Sequence, residues 1–227
     1  MKHKSFLRGN PAAFVVTPVA FALVTLALLL GLNQVFLAPY LGLWDWFLST
    51  NASEQSDPAD LLSTAVKPET DDAETIPLSS ITYPNEGDRY ATITIEGTEV
   101  NAPVYYGDNT TILNQGVGTY KDDSRAGIPG ESKTILLAGH NNTFFNDLQS
   151  VEVGDVVTIE THYGTYTYTV EECKVLEYND TSAYDFTRTD ENLILYTCYP
   201  FDALGFTSQR YFVYASYTSG PMLDADN

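Results

Sequence analysis

A thiol, an imidazole and a guanidinium stand at three points in this chain where an apolar run stops or starts. Cys198 follows Leu193-Ile194-Leu195-Tyr196-Thr197 and precedes Tyr199-Pro200. His140 closes the run Ile135-Leu136-Leu137-Ala138-Gly139. Arg210, twelve positions beyond the cysteine, opens Tyr211-Phe212-Val213-Tyr214. Proline cannot donate to a sheet ladder, so the strand carrying Cys198 should stop at about the thiol and leave it accessible. Three strand ends can meet on one rim of a sheet. There these groups would supply a nucleophile, a proton carrier and a stabiliser of developing negative charge.

Each residue also has a plainer reading. A free cysteine is usually a small buried hydrophobe, a histidine at a strand end is often polar edging, and an arginine usually makes a surface ion pair. Cys173 lies inside an alternating run with no terminator or base beside it, and reads as packing. A Cys173–Cys198 disulfide is open to an exported protein and would consume the nucleophile. His3 belongs to the amino-terminal segment, and His162 sits in the turn His162-Tyr163-Gly164, where exposure is expected. That leaves His140 as the histidine placed to serve the thiol. Arg210 is one of eight bases in a region that carries 30 acids, and its fork of donors suits an oxyanion or a substrate carbonyl.

The elements that must position these groups are mostly strands. Period-2 alternation and β-branched or aromatic residues mark 91–96 and 100–106, separated by a turn at Gly97-Thr98. The same signal marks 134–140, 156–161, 165–176, 192–198 and 210–217. Helical signals are brief: 110–115, ended by Gly116, and 143–148, with Thr143 as its cap. Seven or eight strands with few helices predict an all-β domain, a closed barrel or a sandwich.

Charge divides the chain. Lys2, Lys4 and Arg8 are the only charged residues before Asp45, whereas all 30 acids lie from Asp45 onward. The run 12–32 is apolar and about as long as a bilayer-spanning helix requires. Positive residues ahead of it predict a cytoplasmic segment 1–11, a single-pass signal anchor and an exported remainder. Tyr40, Trp44 and Trp46 follow where amphipathic rings favour the outer interface. Cleavage near 38–52 is the alternative, although Leu37-Ala38-Pro39 makes a poor site. Residues 33–80 join the apolar run to the domain, and 49–80 hold seven acids and one lysine and read as a flexible stalk. A domain of 81–220 and a tail of 221–227 remain. Its acidity argues against nucleic acid as a partner.

These residues carry a resemblance to the sortases, cysteine transpeptidases that attach proteins to the cell wall or build pili. The family ends a strand in Thr-Leu-x-Thr-Cys, and here Ile194-Leu195-Tyr196-Thr197-Cys198 matches all but the first threonine. Ala102-Pro103-Val104-Tyr105-Tyr106-Gly107, Leu113-Asn114-Gln115-Gly116, Leu137-Ala138-Gly139-His140 with Phe145-Asn146-Asp147-Leu148, and Val153-Gly154-Asp155 extend the likeness in order. Cys198-Tyr199-Pro200-Phe201 is most similar to class D.

The resemblance implies a closed sortase-like β-barrel with Cys198 as nucleophile, His140 as acid/base and Arg210 as stabiliser of the tetrahedral intermediate. It adds Thr197 as a possible oxyanion donor. It implies cleavage after Thr in a sorting signal like Leu-Pro-x-Thr-Gly on a secreted protein. The resulting thioacyl enzyme would pass to an amine of peptidoglycan precursor or a pilin. A cysteine hydrolase and a non-enzymatic disulfide-bonded β-domain are the rival expectations. No cofactor is expected. Some sortases use calcium, but Asp122-Asp123, Glu171-Glu172 and Asp180 show no recognisable ligand spacing.

Overall fold

The computed structural model describes residues 19–25, 58–64, 75–122, 125–203 and 207–224. The chain separates into two compact units, Met1–Glu54 and Gln55–Asn227. Of the expected membrane helix, 19–25 are helical, and the rest of 12–32 lies outside the described residues with 1–11 and 33–57. Among the described residues no helix is long and apolar enough to cross a membrane.

The alternating runs become strands that close on themselves. They are β1 (Thr75–Pro77), β2 (Arg89–Ile95), β3 (Asn101–Tyr106), β4 (Val117–Thr119), β5 (Thr134–Ala138), β6 (Val156–Thr161), β7 (Thr165–Glu177), β8 (Asn192–Tyr199), β9 (Gln209–Ser219) and β10 (Met222–Asp224). Eight of them form a closed barrel in the order β2-β3-β4-β5-β8-β9-β7-β6. The β3/β4 and β5/β8 pairs are parallel and the other barrel pairs antiparallel. Gly97, at φ 81, takes the left-handed conformation that the turn after β2 requires.

Side chains alternate between two apolar environments. Ile93, Val104, Ile135, Leu137, Ile159, Leu193, Leu195 and Val213 fill the barrel interior, each completely buried. Leu136, Ile194 and Phe212 belong to a second, outer cluster that the β7–β8 connection covers with Ala183, Tyr184 and Phe186. Fully burying one such aliphatic or aromatic side chain stabilises by about 1.5–3 kcal/mol. Strands buried on both faces explain why 135–137 and 193–195 read as continuous apolar runs rather than alternating ones.

Several expectations need correction. The expected strand 134–140 stops at Ala138, so His140 lies just beyond β5. The expected helix 143–148 is a chain of turns leading into a 3-10 turn at Leu148–Ser150. Asp147 explains this: its carboxylate accepts from Ser150 Oγ and from the Glu99 backbone N–H, so it holds a loop. The helical turn Thr110–Leu113 is present, capped by Asn109, whose side chain accepts from the Ile112 N–H.

The folded unit is also wider than 81–220. Leu61, inside the expected stalk, packs into the core, and the Ala59 N–H donates to Asp88 at 2.7 Å. β1 pairs in parallel with β10, which lies in the expected tail. Backbone pairing needs no hydrophobic pattern of its own, so these short edge segments leave no periodic signal.

Candidate active site

Register brings the sequence candidates together. Cys198 and Arg210 are direct cross-strand partners in the antiparallel β8/β9 pair. Residues so opposed share a face, with Cβ atoms about 4.5–5.5 Å apart. β5 and β8 run parallel with Ala138 opposite Tyr196, and the Gly139 N–H donates to the Tyr196 carbonyl at 3.2 Å. Two residues further along each chain stand His140 and Cys198. Ile194 and Phe212 face outward, so by alternation Cys198 and Arg210 do as well. Both, like His140, are partly exposed.

Each group is held differently. Gly139 is pinned because a Cβ there would lie 2.6 Å from the Phe145 ring, which is fully buried beneath the His140 segment. Burial pushes the His140 imidazole below its ordinary value of 6.5, so it is mostly neutral at pH 7. One Arg210 terminal nitrogen donates to the Thr207 carbonyl at 2.8 Å, to Thr207 Oγ1 at 3.1 Å and to the Gln209 carbonyl at 2.8 Å. The guanidinium also lies 6.0 Å from the Tyr178 ring centroid. Nothing in the sequence singled out Thr207 or Tyr178, because their link to Arg210 depends on how the loop folds back.

Thr197 departs from its expected part. Its side chain is 1% exposed and points into the barrel, opposite in sense to Cys198. Its hydroxyl donates to the Gly139 carbonyl at 2.6 Å. The hydroxyl therefore ties β8 to the His140 segment instead of facing the thiol's side of the sheet.

Cys173 and Cys198 are both free. Cys173 packs against the barrel core, its Sγ 3.6 Å from the Val151 carbonyl, and burial pushes that thiol up. A bulge between Val170 and Glu172 resets the alternation of β7 and turns Cys173 inward. Cys173 pairs with Val213 while Cys198 pairs with Arg210, a separation of about 10 Å along β9 alone. Disulfide partners need Cα atoms within about 7 Å, so the disulfide-bonded alternative does not hold. His162 also differs from expectation: it is half-buried, edge-on to Tyr163 at 4.9 Å between ring centroids.

Around the thiol, aromatic residues line the outer face. Tyr196 stacks on Phe212 at 5.7 Å, and Tyr184 reaches both from the β7–β8 connection. Phe186 stacks between Tyr184 and Tyr120. On the side of the strand end lies a cleft of about 530 Å³ lined by Asn141, Asn142, Asn146, Gln149, Tyr199 and Phe201, among others. Three of the acids considered for calcium have other partners: Asp122 accepts from Arg125 at 2.7 Å, Glu172 pairs with Lys174 at 3.1 Å, and Asp180 accepts from the Ser182 N–H. Asp123 lies outside the described residues. Among the described residues no group of three potential metal ligands is present.

The arrangement can perform acyl transfer: a thiol beside a cation, on a strand whose parallel neighbour delivers a neutral imidazole. Known proteins agree with it. The sortase domain family matches residues 93–218. Sortase D of Bacillus subtilis (strain 168) is 34% identical over 131 residues, which cover 58% of this chain and 65% of that protein, just under two thirds of its length. Among solved structures, the catalytic domain of B. anthracis SrtD is 28% identical with a TM-score of 0.52, covering 64% of this chain and 97% of that one. A Clostridium perfringens Sortase D5 transpeptidase shares the fold at 24% identity and a TM-score of 0.52, covering 60% and 82%. The chain belongs to the sortase family, and its likeness runs to class D.

Proposed function

We propose that this protein is a cysteine transpeptidase acting on sorting signals. The observation that carries the reading is the register that sets Arg210 directly across from Cys198 while β5 delivers His140 beside the same strand end. Neutral His140 takes the thiol proton as the sulfur attacks the carbonyl carbon of the signal's threonine. Arg210 faces the oxygen on which negative charge then develops. The C–N bond breaks, and the imidazolium returns the proton to the departing amine. A second amine attacks the thioester, gives its proton to His140 and releases the thiol.

Thr197 serves this reaction by holding the strand, through its bond to Gly139. The outer aromatic residues, Tyr184 and Tyr196 among them, offer walls for an apolar stretch of the signal. No cofactor enters the scheme. The run 12–32 acts as a retained membrane anchor with the catalytic unit outside, a reading supported by the exposure of Phe21 and Leu23 in the helical residues 19–25. Anchoring would raise the effective concentration of substrates held at the same membrane. The acceptor is an amine of the cell wall or of a pilin.

The test is incubation of the full chain with sorting peptides of the Leu-Pro-x-Thr type followed by Gly, Ala or Ser, with and without triglycine. A thioester on Cys198, detected by mass, and a triglycine adduct are the expected products. Hydrolysis that triglycine leaves unchanged would instead make the protein a cysteine hydrolase. Absence of any acyl adduct on Cys198 with every peptide would refute the reading.

A further inference from the structure

We propose that Asn141 is a positioning residue, whose carboxamide sets the loop carrying His140 against the loop that follows Cys198. The inference rests on the reading of Cys198 and His140 as reacting partners. Asn141 Nδ2 donates to the Pro200 carbonyl at 3.1 Å and reaches the Phe201 carbonyl at 3.4 Å. The residue is 9% exposed, so these bonds have little competition from water.

The symmetry of the links is what points to a catalytic purpose. On one side of the pair, Thr197 Oγ1 bonds Gly139; on the other, Asn141 bonds Pro200. The residues before and after His140 are thus fastened to segments on either side of Cys198. In many nucleophile–histidine sites a third side chain bonds the ring and aims it. Among the described residues no side chain makes a hydrogen bond to the His140 ring, and burial is the sole cause of its shifted pKa. The imidazole is therefore aimed by its backbone, which the Gly139 N–H ties to Tyr196 and the turn bonds from Thr143 and Phe145 shape, and to which these two links add the side-chain ties across to the Cys198 segment. Thr197 acts from the barrel interior, inside strand pairing that secures it in any case. Asn141 joins two loops that have no such ladder, so its loss has more freedom to act on the chemistry.

A displacement of the order of 1 Å in a reacting pair lowers rates by roughly 100-fold. The variants are Asn141→Ala, which deletes the amide, and Asn141→Asp, which keeps its shape but turns an acceptor toward two carbonyls. Both are compared with the wild-type full chain in transpeptidation. The thioester on wild-type Cys198 is measured first, because its absence would sink the underlying reading before any variant is made. Expected for both variants is a fall in kcat of about tenfold or more, with KM within about twofold.

Alkylation of Cys198 by iodoacetamide, mapped by peptide mass, adds a readout that loss of stability would not move. The variants should react several-fold more slowly than wild type near pH 7, where the thiol depends on His140 to take its proton. They should match wild type near pH 10, where hydroxide takes the place of His140 as the base. A kcat within twofold of wild type in either variant, or an alkylation ratio that does not change with pH, would overturn the proposal. Should Asn141→Ala fold poorly, the isosteric Asn141→Asp decides it alone.

Discussion

The two ends of β8 treat polar side chains in opposite ways. At its start, Glu191 is 5% exposed and accepts from Tyr168 Oη at 2.7 Å and from the Gly130 and Ser132 N–H groups at 2.9 and 3.1 Å. Asn192 beside it accepts from Thr134 Oγ1 at 2.8 Å. The Tyr163 hydroxyl bonds the Pro129 carbonyl, and the Leu223 N–H bonds the Gly130 carbonyl, so hydrogen-bonded polar groups close most of this end of the barrel, the buried Tyr166 hydroxyl beside Gly130 being left without a partner among the described residues. About 23 Å away along the strand, Cys198 is partly exposed and faces outward beside Arg210. One end spends its hydrogen bonds on holding the barrel. At the other, the bonds go to the neighbours of Cys198 and His140, the proposed nucleophile and base.

Changes at the two ends should therefore separate activity from stability. The largest effect is expected at Arg210. Arg210→Lys keeps the charge but loses the planar guanidinium, one nitrogen of which bonds both Thr207 and Gln209, and should lower kcat/KM by roughly 100-fold with melting temperature nearly unchanged. Steady-state kinetics and a thermal melt on one sample check this. Near-wild-type turnover would mean that charge alone suffices.

The next effect belongs to the closed end. Burial pushes the Glu191 carboxyl from 4.5 up to about 7, against the opposing pull of its three donors. A carboxyl raised in the folded state binds its proton more tightly there than in the unfolded chain. Its stabilising contribution is therefore full below about pH 4.5 and is lost as pH rises through about 7. The contribution lost should be on the order of 3 kcal/mol. Denaturation midpoints measured from pH 5 to pH 8 should fall, and Glu191→Gln should flatten that slope while leaving turnover per folded molecule intact. An equally steep slope in Glu191→Gln would place the titration elsewhere.

The smallest effect is a shift along the pH axis. Because burial lowers the His140 pKa, the acid limb of kcat/KM should have its midpoint below pH 6.5: protonation there removes the base that takes the thiol proton. A midpoint at or above 6.5 would show that the imidazole is stabilised as a cation in the working enzyme.

Much of the site could be read along the chain because each of its parts is announced locally. Pro200 ends a strand at Cys198, and the two continuous apolar runs 135–137 and 193–195 mark strands covered on both faces, the pair that becomes β5 and β8. The supporting residues were not announced. Asn141 donates to a loop carbonyl and Thr207 offers its own carbonyl to Arg210, both in loops whose course no periodicity describes, and Glu191 reads as one acid among 30 until its three donors are assembled. The strand 165–176 was legible as a strand, but the bulge at Val170/Glu172 was not, and it decides which way Cys173 faces.

The sequence by itself determined which segments are strands, where the reactive side chains sit on them, and the family to which the pattern belongs. These are properties of period and residue type within a few neighbours. The tertiary structure alone decided that Cys198 lies across from Arg210, that β5 lies beside β8 and that Thr197 turns inward. Pairing and register join residues far apart in the chain, and a slip of one residue would have sent every one of these side chains to the other face.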